Sequence, residues 1–527
     1  MGFAFVISLF FPNGKYLVEI QKLAVHIIFQ GGIFMTMRIG IAGTDARSFL
    51  WAKEITADGI WGVVIRGNRA MEEYARIMSW PVEFIPTADN SAKALAQGGI
   101  EAFRTGQLNY LLAQSENHYY DGFVDEVIEA GFGDRVAGLT QKASFIEGDK
   151  IAAKRLCRSA GVPVADQWME EDARDFQSIR DVCCHYIDRF NGAVLKYPYR
   201  AGGKGARIIT DIWQIAEVYN KLMTDYSADY EALRGSDQCW PLLIESLMGG
   251  SEISFTVFVD DNGSFQILPT SMDYARRYPG TAGPHNPVTG GMGAISPHPL
   301  ESLGLIELAT EKIVRPFVRA MKHYGHLRKC VLYFGCFVTV DGNYYPTRIR
   351  VSEVNIRMGE PEVQAVVRRL KNPGELLLAM FENRLHEVKP EVREDQISLT
   401  IALVTGPGGP DGQKGYPDSC TKGERLEFDL KYLKKNKILL VPSGADFRDG
   451  TFYSDGTRIV YLIANAKRDQ TKSLLETAEG LREKILNAHR NGKVRVIPRE
   501  NPDGNRLALR EDCGSEFSRF HQIFCEE

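Results

Sequence analysis

From Met37 onward the chain begins with a short apolar run, Arg38 to Gly43 (RIGIAG), that ends at a glycine and passes into SFLWAKEI, a stretch able to start a helix. This predicts a strand, a turn of phosphate size and a helix. Two further apolar runs, GVVIRG and NYLLAQ, alternate with helical stretches such as YYDGFVDEVIEAGF. Strands and helices in alternation predict a parallel, doubly wound, Rossmann-like sheet over residues 37–137.

The texture then changes. GDKIAAKRLCRSAGVPVAD predicts a helix ending at Gly161 before Pro163, and GAVLKYPY a strand leading into RAGGKGARIIT. LLIESL, EISFTVFVDDNGSFQILPTS and CVLYFGCFVTVDGNYYPTRIRVSEVN are rich in alternating strands, with hairpins expected at DDNG and VDGN. Residues 138–392 therefore read as a mixed α+β region. A third, smaller α+β region, 393–500, opens with ISLTIALVTGPGGPDG and closes with the helix KSLLETAEGLREKILNAH. Residues 501–527 are expected to form a poorly ordered tail. The fold class is thus α/β and α+β, multidomain.

Length agrees with this division, since 527 residues correspond to roughly three domains at about 150 residues each. Residues 1–36 are apolar in patches, FAFVISLFF and LAVHIIF, but Pro12 to Lys15 interrupts them before the ~18 apolar residues of a membrane span. They read as an extension, from a start codon placed upstream or, alternatively, as a surface anchor. A net charge of -4 with 25% charged residues gives no reason to expect nucleic acid or anionic membrane as a partner. Small molecules are the expected partners, and a monomer or homodimer the expected state. The nine cysteines include no CxxC pair, only the adjacent Cys183 and Cys184, which suits free thiols in a reducing cytoplasm.

Candidate chemistry sits at glycine-poised loops and strand ends. AGGKGARII places Lys204 between two strands, either as a lid over a triphosphate or as a solvated hairpin; a P-loop would need Ser or Thr after the lysine. Lys196 ends an apolar strand, where it either snorkels to water or meets a phosphate. Glu245 follows an apolar run and Glu252 begins the next strand; both are either surface glutamates or nucleotide contacts. In EVNIRMGEPE, Glu353 and Asn355 stand two apart on a strand and so share a face, an arrangement suited to Mg²⁺ carrying phosphate oxygens, and Arg357 is expected to continue that face. NPVTGGMGA is either a plain turn or a backbone wall whose N–H groups meet a reacting phosphate.

Taken in order, EGDKIAAKRL, Lys196, RAGGKG, IESLMGGSEISF, TSMDYARRY with GPHNPVTGGMGA, and SEVNIRMGEPE resemble an ATP-grasp ligase, and within that superfamily the glycinamide ribonucleotide synthetase (phosphoribosylamine–glycine ligase) family, from about Met37 to about residue 495. The resemblance implies ATP-grasp central domains with a lid near 160–240. It implies Lys150, Lys196 and Lys204 as nucleotide-binding lysines, Glu245 and Leu247 on the adenine connector, and Glu252 on the ribose. Glu353 and Asn355 would be ligands of Mg²⁺, or Mn²⁺. Arg357, Asp273 and Arg277, with the loop Thr289, Gly290, Gly291 and Gly293, would hold glycine and the transferring phosphate. The implied activity is amide formation between glycine and phosphoribosylamine through glycyl phosphate, a step of purine biosynthesis.

The chain also departs from the family. Its first strand–helix loop reads Asp45-Ala46-Arg47-Ser48-Phe49 where the family has G-G-R-E-H, leaving Arg47 to meet a ribose phosphate. Ser115-Glu116-Asn117-His118-Tyr119 replaces P-E-x-P-L, leaving Glu116. Arg276 stands for a lysine, two residues are inserted in GPHNPVTGGMG, and YYPTRIRVS is an insertion. The departures cluster in the amine pocket, so the alternatives are an ATP-grasp ligase with another amine acceptor or a non-catalytic nucleotide-binding protein.

Overall fold

The computed structural model describes residues 37–199, 205–232, 239–280, 286–407, 415–420, 422–468, 473–498 and 507–520. The extension 1–36 and Lys204 lie outside these residues.

The strands β1 (Arg38–Gly43), β2 (Trp61–Arg66), β3 (Val82–Ile85), β4 (Tyr110–Ala113) and β5 (Val136–Ala137) form one sheet in the order β3-β2-β1-β4-β5, every pair parallel. Ile39, Ile41, Val63, Val64, Ile65, Leu111 and Leu112 are fully buried, as a sheet covered on both faces requires. The order reverses between β1 and β4, so the loops leaving their carboxyl ends part there and open a crevice. Asp45 to Arg47 and Ser115 to Glu116 occupy that crevice. The single helix expected over YYDGFVDEVIEAGF is instead two, Glu116–Tyr120 and Phe123–Glu129, because Gly122 takes the left-handed conformation at φ 80°.

A second sheet is antiparallel throughout: β6 (Trp168–Asp172), β7 (Ala193–Lys196), β8 (Ala206–Ile209) and β9 (Pro241–Ser246), ordered β6-β9-β7-β8. Helices Phe176–Phe190 and Ile215–Asp225 cover it, and Ile179, Cys183, Leu195, Leu222 and Ile244 fill the space between. Cys183 is thus a core side chain, and none of the eight described cysteines is in a disulfide.

The third sheet carries β10 (Ser251–Val259), β11 (Phe265–Ile267), β14 (Cys330–Val340) and β15 (Pro346–Asn355) in the order β11-β10-β14-β15, with hairpin turns at DDNG and VDGN as expected. A fourth joins β12 (Met272–Asp273) and β13 (Gly293–Ser296) to β16 (Gln396–Thr405), β21 (Arg458–Lys467) and β18 (Ile438–Pro442). β13 pairs with β16, Gly293 opposite Ile401, so the glycine-rich loop is hydrogen-bonded into the sheet of the C-terminal region. The last sheet has β19 (Ala445–Arg448), β20 (Thr451–Ser454), β17 (Arg425–Phe428) and β22 (Val494–Ile497) in that order. β23 (Leu507–Ala508) pairs with β16, and Arg510, Cys513 and Phe517 are buried, which corrects the expectation of a poorly ordered tail for residues 507–520. Apolar and cationic side chains there find partners that only the folded sheet supplies.

Among the described residues no helix is long and apolar enough to cross a membrane.

Candidate active site

The floor of the site is one face of the third sheet. Glu252 lies opposite Phe337, Glu353 opposite Gly335 and Asn355 opposite Tyr333. Residues directly paired across strands project to the same side, so the three polar side chains converge. A β-bulge at Ser352 makes this possible. Val351 pairs with Cys336 and Glu353 with the neighbouring Gly335, so the alternation is reset and Glu353 escapes the core face that holds Ile349 and Val351. Gly335 is bare because a Cβ there would lie 3.0 Å from Glu353 Cγ. Asn355 Nδ2 donates to Glu353 Oε1 at 3.3 Å, which confirms the shared face of the pair.

Both Glu252 and Glu353 are reached by solvent although protein crowds them, as on the wall of a deep cleft. Desolvation, then the charge of Glu353, pushes Glu252 up to about 7. Asp273 on β12 is raised well above the usual carboxylate range by burial and by Glu362 and Glu252, and its Oδ1 has no hydrogen-bond partner among the described residues. Glu362 is raised by burial too, with the Tyr333 hydroxyl, which donates to its Oε1, acting against the rise. Carboxyl groups set against one another in this way are relieved by protonation or by a cation. No group of three or more His, Cys, Asp or Glu side chains among the described residues forms a metal cage. The donor set fits a hard divalent ion held by Glu353 and Asn355, whose remaining positions are completed by phosphate oxygens and water.

The nucleotide side is built from lysines. Lys150 opens the helix Lys150–Ser159, capped by Asp149, and its Nζ donates to the Tyr199 carbonyl at 2.9 Å. Desolvation lowers it to about 8, Lys196 adding to the fall and Glu353 opposing it. Lys196 Nζ lies 2.9 Å from Glu245 Oε2 and donates to the Ser352 carbonyl at 3.3 Å, while Lys154 Nζ lies 2.7 Å from Glu245 Oε1. The Glu245 side chain, on the expected adenine connector, is therefore engaged within the protein. It stands inside β9, 1% exposed, as the anion between two buried lysines. Leu247 follows that strand, but its N–H is taken by the Gly192 carbonyl at 2.9 Å and cannot meet a base edge.

β15 ends at Asn355 and the Ile356 N–H goes to Glu147 Oε2 at 2.8 Å, while Arg357 beyond it still feels the charges of Glu353 and Glu362. The Arg357 guanidinium bridges to the first domain, 2.9 Å from Glu116 Oε2, and also lies 3.2 Å from Glu147 Oε1 of the central region. Burial opposes ionisation of Glu116, but Arg357 and Arg47 hold it down to about 2. Burial wins at Glu147, which is pushed up to about 7 against the pull of Arg357. Arg47 is 6% exposed and largely engaged, Nη1 donating to the Met358 carbonyl at 2.8 Å and Nε to Asp45 Oδ1 at 3.1 Å, with Glu360 Oε2 at 3.8 Å. Asp45 caps the helix Ala46–Glu54, accepting from the Ser48 N–H at 3.1 Å. Its carboxylate thus sits on the helix N-terminus, where an anionic ligand would otherwise be favoured.

The glycine loop is bare for a reason the sequence did not disclose. At Gly291, φ 101°, a Cβ would lie 2.3 Å from Pro361 Cδ and 3.3 Å from Asp273 Oδ1, and at Gly293 2.7 Å from Cys513 Sγ, whereas at Gly290 the nearest atoms, of Arg458 and Tyr416, stand at an ordinary contact distance of 3.5 Å. Protein atoms fill the space. The Gly290 N–H donates to Tyr416 Oη at 3.0 Å, the Gly291 N–H to Thr289 Oγ1 at 3.1 Å, and Thr289 Oγ1 to the Ala275 carbonyl at 2.8 Å. The Gly290 and Gly291 N–H groups are therefore engaged by protein partners. Arg277, 3% exposed, donates from Nε to the Tyr416 carbonyl at 2.9 Å and stands beside this wall.

Sequence reading missed Lys154, Glu147, Glu360, Glu362, Tyr416 and Arg458. Lys154 was within reach, four residues after Lys150 and so on the same helical face, and Glu360 and Glu362 lie in the quoted MGEPE. Arg458, which donates to the Gly290 and Glu360 carbonyls, carries no local signal.

Residues 148–363 match the family model described as phosphoribosylglycinamide synthetase, ATP-grasp (A) domain. The chain is 29% identical over 372 residues to a phosphoribosylamine–glycine ligase of Listeria monocytogenes serovar 1/2a, covering 70% of this chain and 80% of that protein. It is likewise 29% identical over 350 residues to one of Caldanaerobacter subterraneus subsp. tengcongensis, covering 65% and 74%. In fold it is similar to the crystal structure of phosphoribosylamine–glycine ligase from Thermotoga maritima, with a TM-score of 0.64 at 20% identity over 90% of this chain and 100% of that one.

Proposed function

We propose that this chain, whose residues 148–363 match the phosphoribosylglycinamide synthetase ATP-grasp family model, is a ligase that joins glycine to phosphoribosylamine with cleavage of ATP. The observation that carries the reading is the convergence of Glu252, Glu353 and Asn355 on one sheet face with Lys150 and Lys196 at its border.

A carboxylate is inert to amines until one oxygen becomes a leaving group. An oxygen of glycine attacks the γ-phosphorus of ATP, ADP leaves, and glycyl phosphate forms; the amine of phosphoribosylamine then attacks the acyl carbon, phosphate leaves and the nitrogen loses a proton. Lys150 and Lys196 offset the phosphate charge, and Lys204 would do so from the lid. Glu252 accepts from ribose hydroxyls. Glu353 and Asn355 would hold Mg²⁺, with Mn²⁺ as the alternative, and the cation when bound neutralises charge on the transferring group. Arg277 and Asp273 supply the cation and carboxylate that a zwitterion such as glycine calls for, and Asp273 Oδ1 has no hydrogen-bond partner among the described residues. Arg357 orients Glu116 and Glu147 at the mouth of the first-domain crevice. The acyl phosphate hydrolyses readily, so closure that excludes water belongs to the mechanism. A cytoplasmic monomer or homodimer fits this chemistry.

The test is ADP release from the purified protein with ATP, glycine and freshly prepared phosphoribosylamine. Release that requires all three supports the reading, and none from folded protein refutes it. One observation favours a second reading, a ligase with another amine acceptor: the Asp45 carboxylate covers the helix N-terminus in the first-domain crevice and Arg47 is engaged within the protein. Release with an unphosphorylated amine but not with phosphoribosylamine would select it.

A further inference from the structure

The strand that carries Asp273 and Arg277 is braced from behind by the C-terminal segment. Arg510 is 6% exposed; its Nη1 donates to the Arg276 carbonyl at 3.1 Å and its guanidinium carbon stands 5.0 Å from the Tyr274 ring centroid. Asp512 orients that guanidinium through two contacts, Oδ1 with Nε at 2.5 Å and Oδ2 with Nη2 at 3.0 Å. Two residues further on, the Gly514 N–H donates to Tyr274 Oη at 2.7 Å. Cys513 packs where a side chain on Gly293 would be, and Gly293 accepts from the Tyr274 N–H at 2.9 Å. One short piece of chain thus grips residues 274, 276 and 293, which flank Asp273, Arg277 and Gly291.

The pattern has the chemistry of a clamp. A cation is placed on a backbone carbonyl and an aromatic face, then locked by a two-point carboxylate, so displacing it would strand a buried charge. β12 has two residues and pairs with β13; Ser271, just before it, exchanges backbone hydrogen bonds with Ser254 of β10 at 2.8 and 2.9 Å, so the floor sheet holds one end of this segment and the C-terminal segment backs the other. The segment also lies near the cleft, since the charge of Glu516 contributes to the raised state of Glu252.

We infer that Arg510, fixed by Asp512, is a positioning residue of the carboxylate-substrate pocket, acting through Tyr274 and the Arg276 carbonyl on Asp273 and Arg277 while leaving the nucleotide elements in place. The inference rests on the ligase reading above for the identity of the pocket. Lys150, Lys196 and Glu353 stand on other elements, so a loosened β12 changes the carboxylate substrate's binding more than that of ATP, whose ribose contact Glu252 feels the charge of Arg276.

The experiment compares wild type, Arg510→Ala, Arg510→Lys and Tyr274→Phe by steady-state ADP release. Arg510→Ala is expected to raise KM for glycine about ten-fold, the equivalent of about 1.4 kcal/mol, with KM for ATP within about two-fold. Arg510→Lys, which keeps the charge over Tyr274 but loses the fork, is expected to recover part of the loss, and Tyr274→Phe to shift glycine KM in the same direction by less. Equal changes in both KM values, or no change in a folded variant, overturn the inference. Should Arg510→Ala not fold, Tyr274→Phe carries the same test. Amide hydrogen exchange over residues 272–277 and 289–294 keeps the two ideas separate: a wild type without glycine-dependent turnover refutes the ligase reading alone, whereas unchanged exchange there in the folded variants refutes the brace.

Discussion

Replacing Glu245 with glutamine removes one negative charge from between two buried ammonium groups. The lysines lie 2.7 and 2.9 Å from its two oxygens, and the three side chains are between 1% and 8% exposed. Their nitrogens are therefore within about 8 Å of each other, where an effective dielectric of about 20 gives roughly 2 kcal/mol of repulsion no longer offset. The amide keeps one oxygen for one lysine and turns an NH2 donor toward the other, so the cost falls in the range of about 3–5 kcal/mol found when one partner of a buried pair is deleted. Lys196 also loses the oxygen that orients it, so KM for ATP should rise at least about ten-fold. The decisive comparison is the double variant Lys154→Met, Glu245→Gln. It restores the original net charge of the cluster, so stability in urea unfolding should recover by about 2 kcal/mol relative to Glu245→Gln, while KM for ATP stays high. The charge argument predicts this non-additivity. Simple addition of the two single losses in unfolding free energy, or a Glu245→Gln protein with unchanged ATP kinetics, would refute it.

Other changes follow from the same geometry. Glu353→Gln should lower turnover by at least about a hundred-fold and make the remaining rate demand more Mg²⁺ or Mn²⁺, measured by metal titration of ADP release; an unchanged metal requirement would remove the ligand assignment. Glu147 is raised from 4.5 to about 7, so its contribution to stability is fully present below about pH 4.5 and is lost as pH rises through about 7. Relative to Glu147→Gln, the wild type should lose roughly 3 kcal/mol between pH 5 and 8, the size of that displacement, and a pH-independent difference in urea midpoint would contradict it. Gly291→Ala places a methyl 2.3 Å from Pro361 Cδ at φ 101°; it should cost about 2 kcal/mol or more in unfolding free energy and raise KM for glycine, and a neutral result would show that the loop is not pinned there.

Much of the fold was legible in local pattern. The parallel first sheet follows from short apolar runs alternating with helices, and the two hairpins from DDNG and VDGN between strand-like stretches. Glu353 and Asn355 were found because two residues on one strand share a face whatever lies around them. Spacing could not show the bulge at Ser352, which decides which face that is, because a bulge is defined by the register against Gly335 and Cys336 on the neighbouring strand. Nor could it show that the strand stops at Asn355 and sends Arg357 to Glu116, 241 residues away in sequence.

The remaining differences have the same origin. Glu245 was read beside Leu247 as part of a connector, yet its fate is set by Lys154 and Lys196, brought to it from another helix and another strand. NPVTGGMGA shows by sequence alone that something approaches the backbone closely. Only the tertiary structure decides that Pro361, Arg458, Tyr416 and Cys513 are what approaches. Residues 507–520 look like a polar tail until Arg510 meets Tyr274 and the Arg276 carbonyl. Sequence by itself determined which segments extend, which coil and which side chains share a strand face, because those follow from the backbone's own period. Which charge meets which, and what fills a bare backbone, depended on contacts between segments hundreds of residues apart, because burial and electrostatics act through space and leave no periodic trace in the chain.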